Sequence, residues 1–463
     1  MSNDNLERNI EKKSVSATNV ADTNVLVETS IVKSTFSGEN KVSETTEISE
    51  QLSMVAALPE KSNIEPHFQT NLFEGQAKQT LSKNAKYNKN SKKQVASGSL
   101  LEYRIKRLLF AMGYYPKVGI LIKTMQDELA DTITDLDVLG TYIHKDFTSK
   151  TIWADCKSGQ ARPLERISWI KGVMSTIDIN DVIFVKGGVR SSTKQYARKL
   201  GIHVLDLQII EKLEADYGIK HNDWRGSWNP DMQHNKLIIF QKIEVPSREL
   251  FKKIANFISC DYWAYDNYTR IKKTITAIRQ LTQITDLSFN QEQSAAIRWA
   301  IYELVNLFVL ALLNICKELY YFPDEEKKTT VHDGLISSEI SIKKREEIVE
   351  AVFKTAYSIV LKQLPDFKPP EQTPKFNLNP PNYFEPIYDL ILRITNNPIA
   401  YYDILRFLDF VLMEYDLQSK KIDESELSKI FNNYSEIILG AKTILHFLCQ
   451  ITGIHRSNFQ LIN

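Results

Sequence analysis

Cysteine is scarce in this chain and is spread too widely to form a disulfide framework. No Cys or His pair has the spacing of a zinc site. The four cysteines are far apart and lie mostly in apolar segments: Cys156, Cys260, Cys316 and Cys449. The sequence therefore predicts free thiols, as in a cytoplasmic protein, and argues against disulfide-rich and zinc-finger folds.

The chain also has no apolar run long enough to suggest a membrane span. Its most apolar stretch, residues 304–316, contains two Asn and is flanked by Glu303 and Lys317. A membrane-spanning helix needs ~20 apolar residues. The first residues of the chain have no basic segment followed by an apolar core, so no secretory signal is expected. We expect residues 304–316 to form the buried central helix of a bundle, with no membrane partner.

The chain as a whole has no excess of positive or negative charge. The chain has 58 basic and 57 acidic residues, a net charge of +1. Within residues 1–97, however, every acidic residue lies at or before Glu74, and six lysines follow between residues 78 and 93. This polar segment, with few aromatic residues, is predicted to be a disordered arm. Its basic part could neutralise nucleic-acid phosphates or simply act as a soluble linker.

A short apolar strand that ends in Asp-x-Lys is the most informative segment. Residues 151–159 read Thr-Ile-Trp-Ala-Asp-Cys-Lys-Ser-Gly. Since residues i and i+2 of a strand face the same side, Asp155 and Lys157 should project together. A carboxylate that can hold a divalent cation, beside a lysine that can orient water or offset phosphate charge, suits phosphodiester hydrolysis. Cys156 should face the core on the opposite side.

Two further acidic residues lie on the preceding predicted strand. Residues 132–140 alternate in polarity, which predicts that Asp135 and Asp137 share one face, and Leu136 and Val138 the other. A polar loop then turns the chain into the Asp155 strand, forming a hairpin. Carboxylates that converge from adjacent strands predict a hard-cation site for Mg²⁺, or Mn²⁺ in its place.

An amphipathic helix precedes both strands. Apolar residues recur at helical spacing from Leu101, Ser99 can cap the helix start, and Gly113 can end the helix. Glu102 lies in its first turn. It can complete a Ser-x-x-Glu capping box with Ser99 or act in the metal site, and the spacing alone does not decide between the two.

The order of these elements resembles the PD-(D/E)xK nuclease superfamily. Residues 98–206 are most similar to Mrr-type restriction enzymes and archaeal Holliday-junction resolvases. The resemblance implies that Glu102 completes the metal site, that Asp137 and Asp155 are the acidic residues of the motif, and that Lys157 is its lysine. It also implies a restriction-endonuclease-like α/β fold, with a mixed sheet sandwiched by helices, and a DNA substrate.

The match departs from the family pattern at two places. Many of the relatives have Glu where this chain has Asp155. Asp135 competes with Asp137 for the metal-binding role, and Asp137 is preferred because the apolar pair after it fits the motif better.

Later segments fit an α/β domain over residues 98–215. Helices are predicted at 163–178 and 193–200, and strands at 181–185 and 202–205. The loop 186–194 lacks the spacing of a nucleotide-binding P-loop. Its Arg190 and Lys194 are candidates for contact with a nucleic-acid backbone, although ordinary solvated charge would leave the same pattern.

The remainder of the chain is predicted to be helical. A turn-rich connector, residues 216–245, carries two tryptophans that we expect to pack onto a domain. An all-α domain of unknown role then spans 246–463, with helices expected at about 247–258, 265–284, 290–320, 338–363, 384–395, 399–416, 424–432 and 434–452. A homodimer or a partner protein could bind through this half.

Three functions from different classes remain compatible with the sequence, the last of them a scaffold that binds no nucleic acid and acts wholly through its helical half. The first is a metal-dependent endonuclease that cuts DNA, with a role in restriction or defence by analogy. The alternative is a catalytically inactive nucleic-acid-binding module that recruits a partner through its helical half.

Overall fold

The computed structural model describes most of the chain beyond the N-terminal arm. The described residues are 97–123, 131–177, 179–243, 248–284, 288–337, 342–370 and 379–463. They all belong to one compact unit, residues 90–463. The predicted disordered arm, with its six lysines, lies outside the described residues.

A five-stranded mixed sheet forms the α/β part. The strands are β1 (Tyr115–Lys123), β2 (Thr132–Ile143), β3 (Ser149–Cys156), β4 (Asp181–Val185) and β5 (Ile202–Leu205). They lie in sequence order, antiparallel from β1 to β3 and parallel from β3 to β5. The predicted hairpin and the two later strands are confirmed, whereas β1 was not assigned from the sequence.

Helices cover both faces of this sheet, as predicted. They are α1 (Ser97–Ala111), α2 (Pro163–Met174), α3 (Ser191–Lys199) and α4 (Leu207–Asp216). One apolar cluster joins α1 and α4 to one face of β2, β3 and β4. A second cluster joins α2 and α3 to the opposite face. The carboxyl end of β3, where Asp155 lies, is thus enclosed between two helical layers.

The ends of α1 differ in part from the prediction. Helix α1 stops at Ala111, and Gly113 follows with φ +94°, a conformation that favours glycine. At the other end, α1 begins at Ser97, so Ser99 lies inside the helix. The Ser99 hydroxyl lies 2.8 Å from Nε2 of His234. The predicted cap at Ser99 is therefore wrong, and with it the capping-box role of Glu102.

At one point along β1 and β2 the alternation of side chains is interrupted, so that residues two positions apart face opposite sides of the sheet. Val118 pairs with Val138 in the α1-side cluster, whereas Ile120 pairs with Leu136 in the α2-side cluster. Between these pairs stands Gly119, with φ +69°. The prediction that Leu136 and Val138 share a face is therefore wrong, because the strict alternation is broken beside Asp137.

Helices make up the rest of the described chain. The predicted connector contains α5 (Pro230–Gln241). The later helices are α6 (Arg248–Asn256), α7 (Tyr262–Ala264), α8 (Asn267–Gln283), α9 (Gln291–Leu319), α10 (Asp324–Ser337), α11 (Ile342–Gln363), α12 (Phe384–Asn396), α13 (Pro398–Tyr401), α14 (Ile404–Val411), α15 (Glu424–Ile430) and α16 (Tyr434–Thr452). Helix α10 was not predicted, and π-helical turns follow α6 and α14 at Phe257–Asp261 and Leu412–Asp416.

The most apolar segment forms the buried centre of this half, as expected. By length and composition, α9 is the one described helix that could cross a membrane, but 94% of its apolar window is buried inside the protein. Such burial is typical of the core helix of a soluble protein.

The sheet and the helical half share a hydrophobic core. Phe110 of α1 lies 4.6 Å from the ring of Trp228, which stacks at 5.2 Å on Phe410 of α14. The expectation that a connector tryptophan packs onto a domain is confirmed for Trp228, which is 4% exposed. Lys117 of β1 and Glu303 of α9 form a buried ion pair at the same boundary.

Candidate active site

Asp155, near the end of β3, is held by an arginine from the following helix. Its side chain is fully buried. Arg166 of α2 donates from Nε to Oδ2 at 2.9 Å and from Nη2 to Oδ1 at 2.5 Å. The guanidinium carbon also lies 3.6 Å from the centre of the Trp169 ring. This bidentate, stacked arrangement is the strongest kind of arginine–carboxylate contact.

Lys157 bridges the two acidic residues of the motif. Its Nζ lies 2.9 Å from Oδ2 of Asp137 and 3.4 Å from Oδ1 of Asp155. Burial alone would lower the pKa of Lys157, but the attraction of the two carboxylates outweighs burial and raises it. Lys157 is therefore a charged ammonium at neutral pH. The structure thus brings together three of the four residues predicted from the motif.

Asp137 lies where β2 separates from β3. The last paired residues of the two strands are Val138 and Ala154. Oδ2 of Asp137 accepts a hydrogen bond from the backbone N–H of Cys156 at 2.7 Å, a donor that the partner strand no longer satisfies. Burial raises the pKa of Asp137, and Lys157 opposes this shift without cancelling it. Cys156 itself is buried in the α1-side cluster, as predicted.

Two more carboxylates, those of Glu102 and Asp135, lie close enough to Asp137 for its charge to raise their pKa values. Burial first, and then the charges of Asp137 and Asp135, raise the pKa of Glu102 to about 8. Asp135 is exposed as a residue, but desolvation of its carboxyl group and the charge of Asp137 raise its pKa to about 6. Glu102 is thus mostly protonated at neutral pH. Such mutual repulsion among acidic side chains would be relieved by a bound cation.

The chemistry of these donors fits a hard divalent cation. All are carboxylate oxygens, the ligands that Mg²⁺ takes in proteins. Within the described ranges, however, no three His, Cys, Asp or Glu side chains are already arranged as a metal site. Both oxygens of Asp155 contact Arg166. A cation bound here would therefore have to share the Asp155 carboxylate with Arg166 or displace Arg166 from it.

The two residues proposed to touch a nucleic-acid backbone lie at the start of α3. Arg190 is exposed and directly precedes α3. Lys194 forms an ion pair with Asp206 at 2.5 Å between Nζ and Oδ2. Lys194 is thus already neutralised by a carboxylate, whereas Arg190 remains exposed to solvent.

Arg166 is a site residue that the sequence patterns did not indicate. It lies eleven residues after Asp155, on a helix where arginine is an ordinary surface residue. The only sequence feature that could have indicated Arg166 is its position, in the first turn and a half of the helix that follows the motif strand. At that place a βα connection returns a side chain to the carboxyl end of the strand.

Comparison of the chain with protein-family models, with curated proteins and with solved structures finds no match.

Proposed function

We propose that this protein is a metal-dependent endonuclease that hydrolyses phosphodiester bonds in DNA. The observation that supports the proposal best is the convergence of Asp137, in the middle of β2, with Asp155 and Lys157 at the carboxyl end of β3. Glu102 lies close enough to be perturbed by the Asp137 charge. Carboxylates that can hold a divalent cation, beside a lysine that can offset phosphate charge, suit metal-assisted phosphodiester hydrolysis.

Each residue has a role that follows from its surroundings. Asp137, Asp155 and Glu102 would hold Mg²⁺, for which Mn²⁺ can substitute. The bound ion would polarise the phosphate and lower the pKa of a water molecule. Lys157, a cation held between two carboxylates, would offset the negative charge that develops on the phosphate in the transition state. The enclosed position of Asp155 would exclude bulk water and strengthen these interactions.

The choice of DNA and the biological setting rest on the resemblance to Mrr-type enzymes. By analogy with those enzymes, a cytoplasmic role in restriction or defence follows. The helical half would then bind a second copy or a partner protein.

The test is incubation of the purified protein with supercoiled and linear DNA, with and without Mg²⁺ or Mn²⁺. Asp155→Asn and Lys157→Gln should each lower the cleavage rate by about 100-fold or more, since one lost catalytic contact removes roughly 10²–10³ in rate. Glu211→Gln, which changes an exposed carboxylate on α4, is the matched control and should cut normally. Full activity in either site variant would refute the assignment.

A second candidate function is supported by one specific contact. Arg166 holds both oxygens of Asp155, as a structural ion pair in an inactive nucleic-acid-binding module would. Such a module would bind DNA without divalent metal and with equal affinity in wild-type protein and Asp155→Asn. It would also leave DNA uncut at every metal concentration, an outcome that would exclude the endonuclease.

A further inference from the structure

A pocket of about 270 Å³ adjoins the candidate active site on the α1 side of the sheet. Its walls come from α1, from the turns after β3 and β4, and from the start of α4. Pockets for drug-sized ligands measure about 300–1,000 Å³, so this one suits a single small group. Its polar side chains are those of Arg104, Lys157, Ser158 and Lys186, and three leucines and Gly187 complete the lining.

The pocket lies at the carboxyl ends of two parallel strands. The ladder between β3 and β4 extends one step to Lys157, whose N–H donates to the Val185 carbonyl at 3.0 Å. In the same way Lys186 N–H donates to the Leu205 carbonyl at 2.9 Å. These bonds direct the two turns, and both lysines, to the same edge of the sheet. In α/β sheets ligands bind at this edge.

The charged side chains that line the pocket are cationic, and one of them, Lys157, already pairs with Asp137 and Asp155. Within the part of the chain that the structure describes, its lining has three cationic side chains and no acidic one. Lys186 donates from Nζ to a neutral group, the Gly159 carbonyl, at 2.7 Å. Lys186 therefore keeps its positive charge, because its hydrogen-bond partner is neutral.

The guanidinium group in the wall is only partly neutralised. Arg104 donates from Nη2 to Oε2 of Glu214 at 2.6 Å, and Arg107 donates from Nη2 to Oε1 of the same carboxylate at 2.7 Å. Two guanidinium groups share one carboxylate, so this trio keeps a net positive charge. A rigid, partly buried cation of this kind attracts an anion at low entropic cost.

We propose that this pocket binds a DNA backbone phosphate next to the one that is cut, through Lys186 and Arg104. The inference rests on the proposed function, because Lys157 belongs both to the pocket and to the candidate active site. A phosphate in the pocket would be separated from Asp137 and Asp155 by the Lys157 side chain, which lines the pocket and contacts both carboxylates. It would fix the register of the strand relative to the reacting group, as backbone contacts do in DNA-binding proteins.

The test measures binding of a fluorescent DNA duplex in EDTA, where cleavage chemistry is absent. Lys186→Gln should weaken binding about fivefold to tenfold. It should also reduce the slope of log K against log salt by about 0.9, the value expected for one lost phosphate contact. Lys171→Gln, an exposed lysine on α2 outside the pocket, should change neither quantity.

Lys186 also holds the Gly159 turn through its hydrogen bond to the carbonyl. A variant that keeps the positive charge therefore separates phosphate binding from support of this turn. Lys186→Arg should restore most of the affinity and the salt slope if phosphate binding is the cause. Unchanged affinity and slope in Lys186→Gln would overturn the inference, as would failure of the wild-type protein to bind DNA.

The outcomes separate this inference from the endonuclease proposal. Metal-dependent cutting by the wild-type protein together with normal binding by Lys186→Gln would overturn the phosphate pocket alone. Binding that depends on Lys186, in a protein that never cuts DNA, would keep the pocket and overturn the hydrolytic function.

Discussion

Arg166 holds Asp155 through two hydrogen bonds, at 2.9 and 2.5 Å, and so occupies both oxygens of the most deeply buried carboxylate in the site. Asp155 is also the acidic residue of the Asp-x-Lys motif. The same carboxylate therefore has two competing partners, an arginine that is present in the fold and a divalent cation in the proposed mechanism. Which partner is favoured determines whether the site is a nuclease or a fixed ion pair.

The first prediction concerns this competition. Arg166→Gln should raise the affinity for Mg²⁺ by about tenfold, which corresponds to ~1.4 kcal/mol, because Asp155 is released for the ion. Without metal, the variant should lose roughly 3 kcal/mol in the free energy of unfolding, since a buried carboxylate loses one cationic partner. Isothermal titration calorimetry and urea denaturation measure the two effects.

Arg162→Gln supplies the control for this variant. Arg162 immediately precedes the same helix, is 84% exposed and pairs with Glu165 on the surface. Its loss should change stability by under about 1 kcal/mol and leave Mg²⁺ affinity unaltered. Equal Mg²⁺ affinity in Arg166→Gln and wild-type protein would mean that Arg166 does not compete with the ion for Asp155.

The second prediction concerns the pH dependence of stability. The pKa of Glu102 is raised from 4.5 to about 8 in the folded protein. Between these values the native state keeps a proton that the unfolded chain releases, so the free energy of unfolding falls as the pH rises. Below pH 4.5 the effect vanishes, and above pH 8 it is complete.

Glu102→Gln removes this proton equilibrium at constant size. The variant should therefore be more stable than wild-type protein at pH 8.5, by roughly 2 kcal/mol after allowance for solvent screening, and nearly equal to it at pH 4.5. Urea denaturation across this range, with Glu211→Gln as the exposed control, measures the difference. If wild-type protein and Glu102→Gln have parallel pH profiles, Glu102 is not in the crowded environment that the structure describes.

Local sequence patterns were sufficient to predict much of the fold. Periodic patterns and apolar runs predicted α1, β2, β3, β4 and β5, and the central helix α9, because each of these elements buries many apolar side chains. Helix α10 was missed because its segment is polar and rich in acidic residues, without a clear apolar stripe. The N-terminal start of α1 was misplaced because Ser99, a common cap, contacts His234 instead.

The candidate site was predictable where its residues share a strand or a hairpin, and not where they meet through the packing of a distant helix. Asp155 and Lys157 follow from the spacing of one motif. Arg166 joins them only because α2 packs back over β3, and no local pattern encodes that return. The interruption of the alternation beside Asp137 likewise requires the conformation of Gly119 on a neighbouring strand.

The third prediction tests that interruption. Gly119 has φ +69° and open space where the methyl group of an alanine would lie, and Gly218, remote from the site, has φ +66° in equally open space. Alanine at either position should lower the free energy of unfolding by about 1–2 kcal/mol, since both adopt the left-handed conformation. Only Gly119→Ala should also weaken Mg²⁺ binding and slow DNA cleavage, because only it displaces Asp137. Equal effects of both variants on cleavage would show that the interrupted alternation does not position the site.

The fourth prediction concerns the ion pair between the sheet and the helical half. Lys117 and Glu303 are 8% and 2% exposed, and Lys117 lies two residues before Gly119 on β1. Glu303→Gln should reduce the free energy of unfolding by about 3–5 kcal/mol, because Lys117, whose pKa burial lowers to about 7, stays buried without its carboxylate. Glu350→Gln, which breaks the exposed Glu350–Lys354 pair, should cost less than about 1 kcal/mol in the same urea titration.

The double variant Lys117→Met with Glu303→Leu separates charge pairing from packing. Replacing both partners of a buried pair by apolar groups is often neutral or stabilising, so most of the loss in Glu303→Gln should be recovered. Recovery would show that the pair is tolerated at this boundary without being needed for stability. A double variant as unstable as the single one would instead show that β1 depends on a specific polar contact with α9. The helical half would then position the strand that carries Gly119, and through it the carboxylate of Asp137.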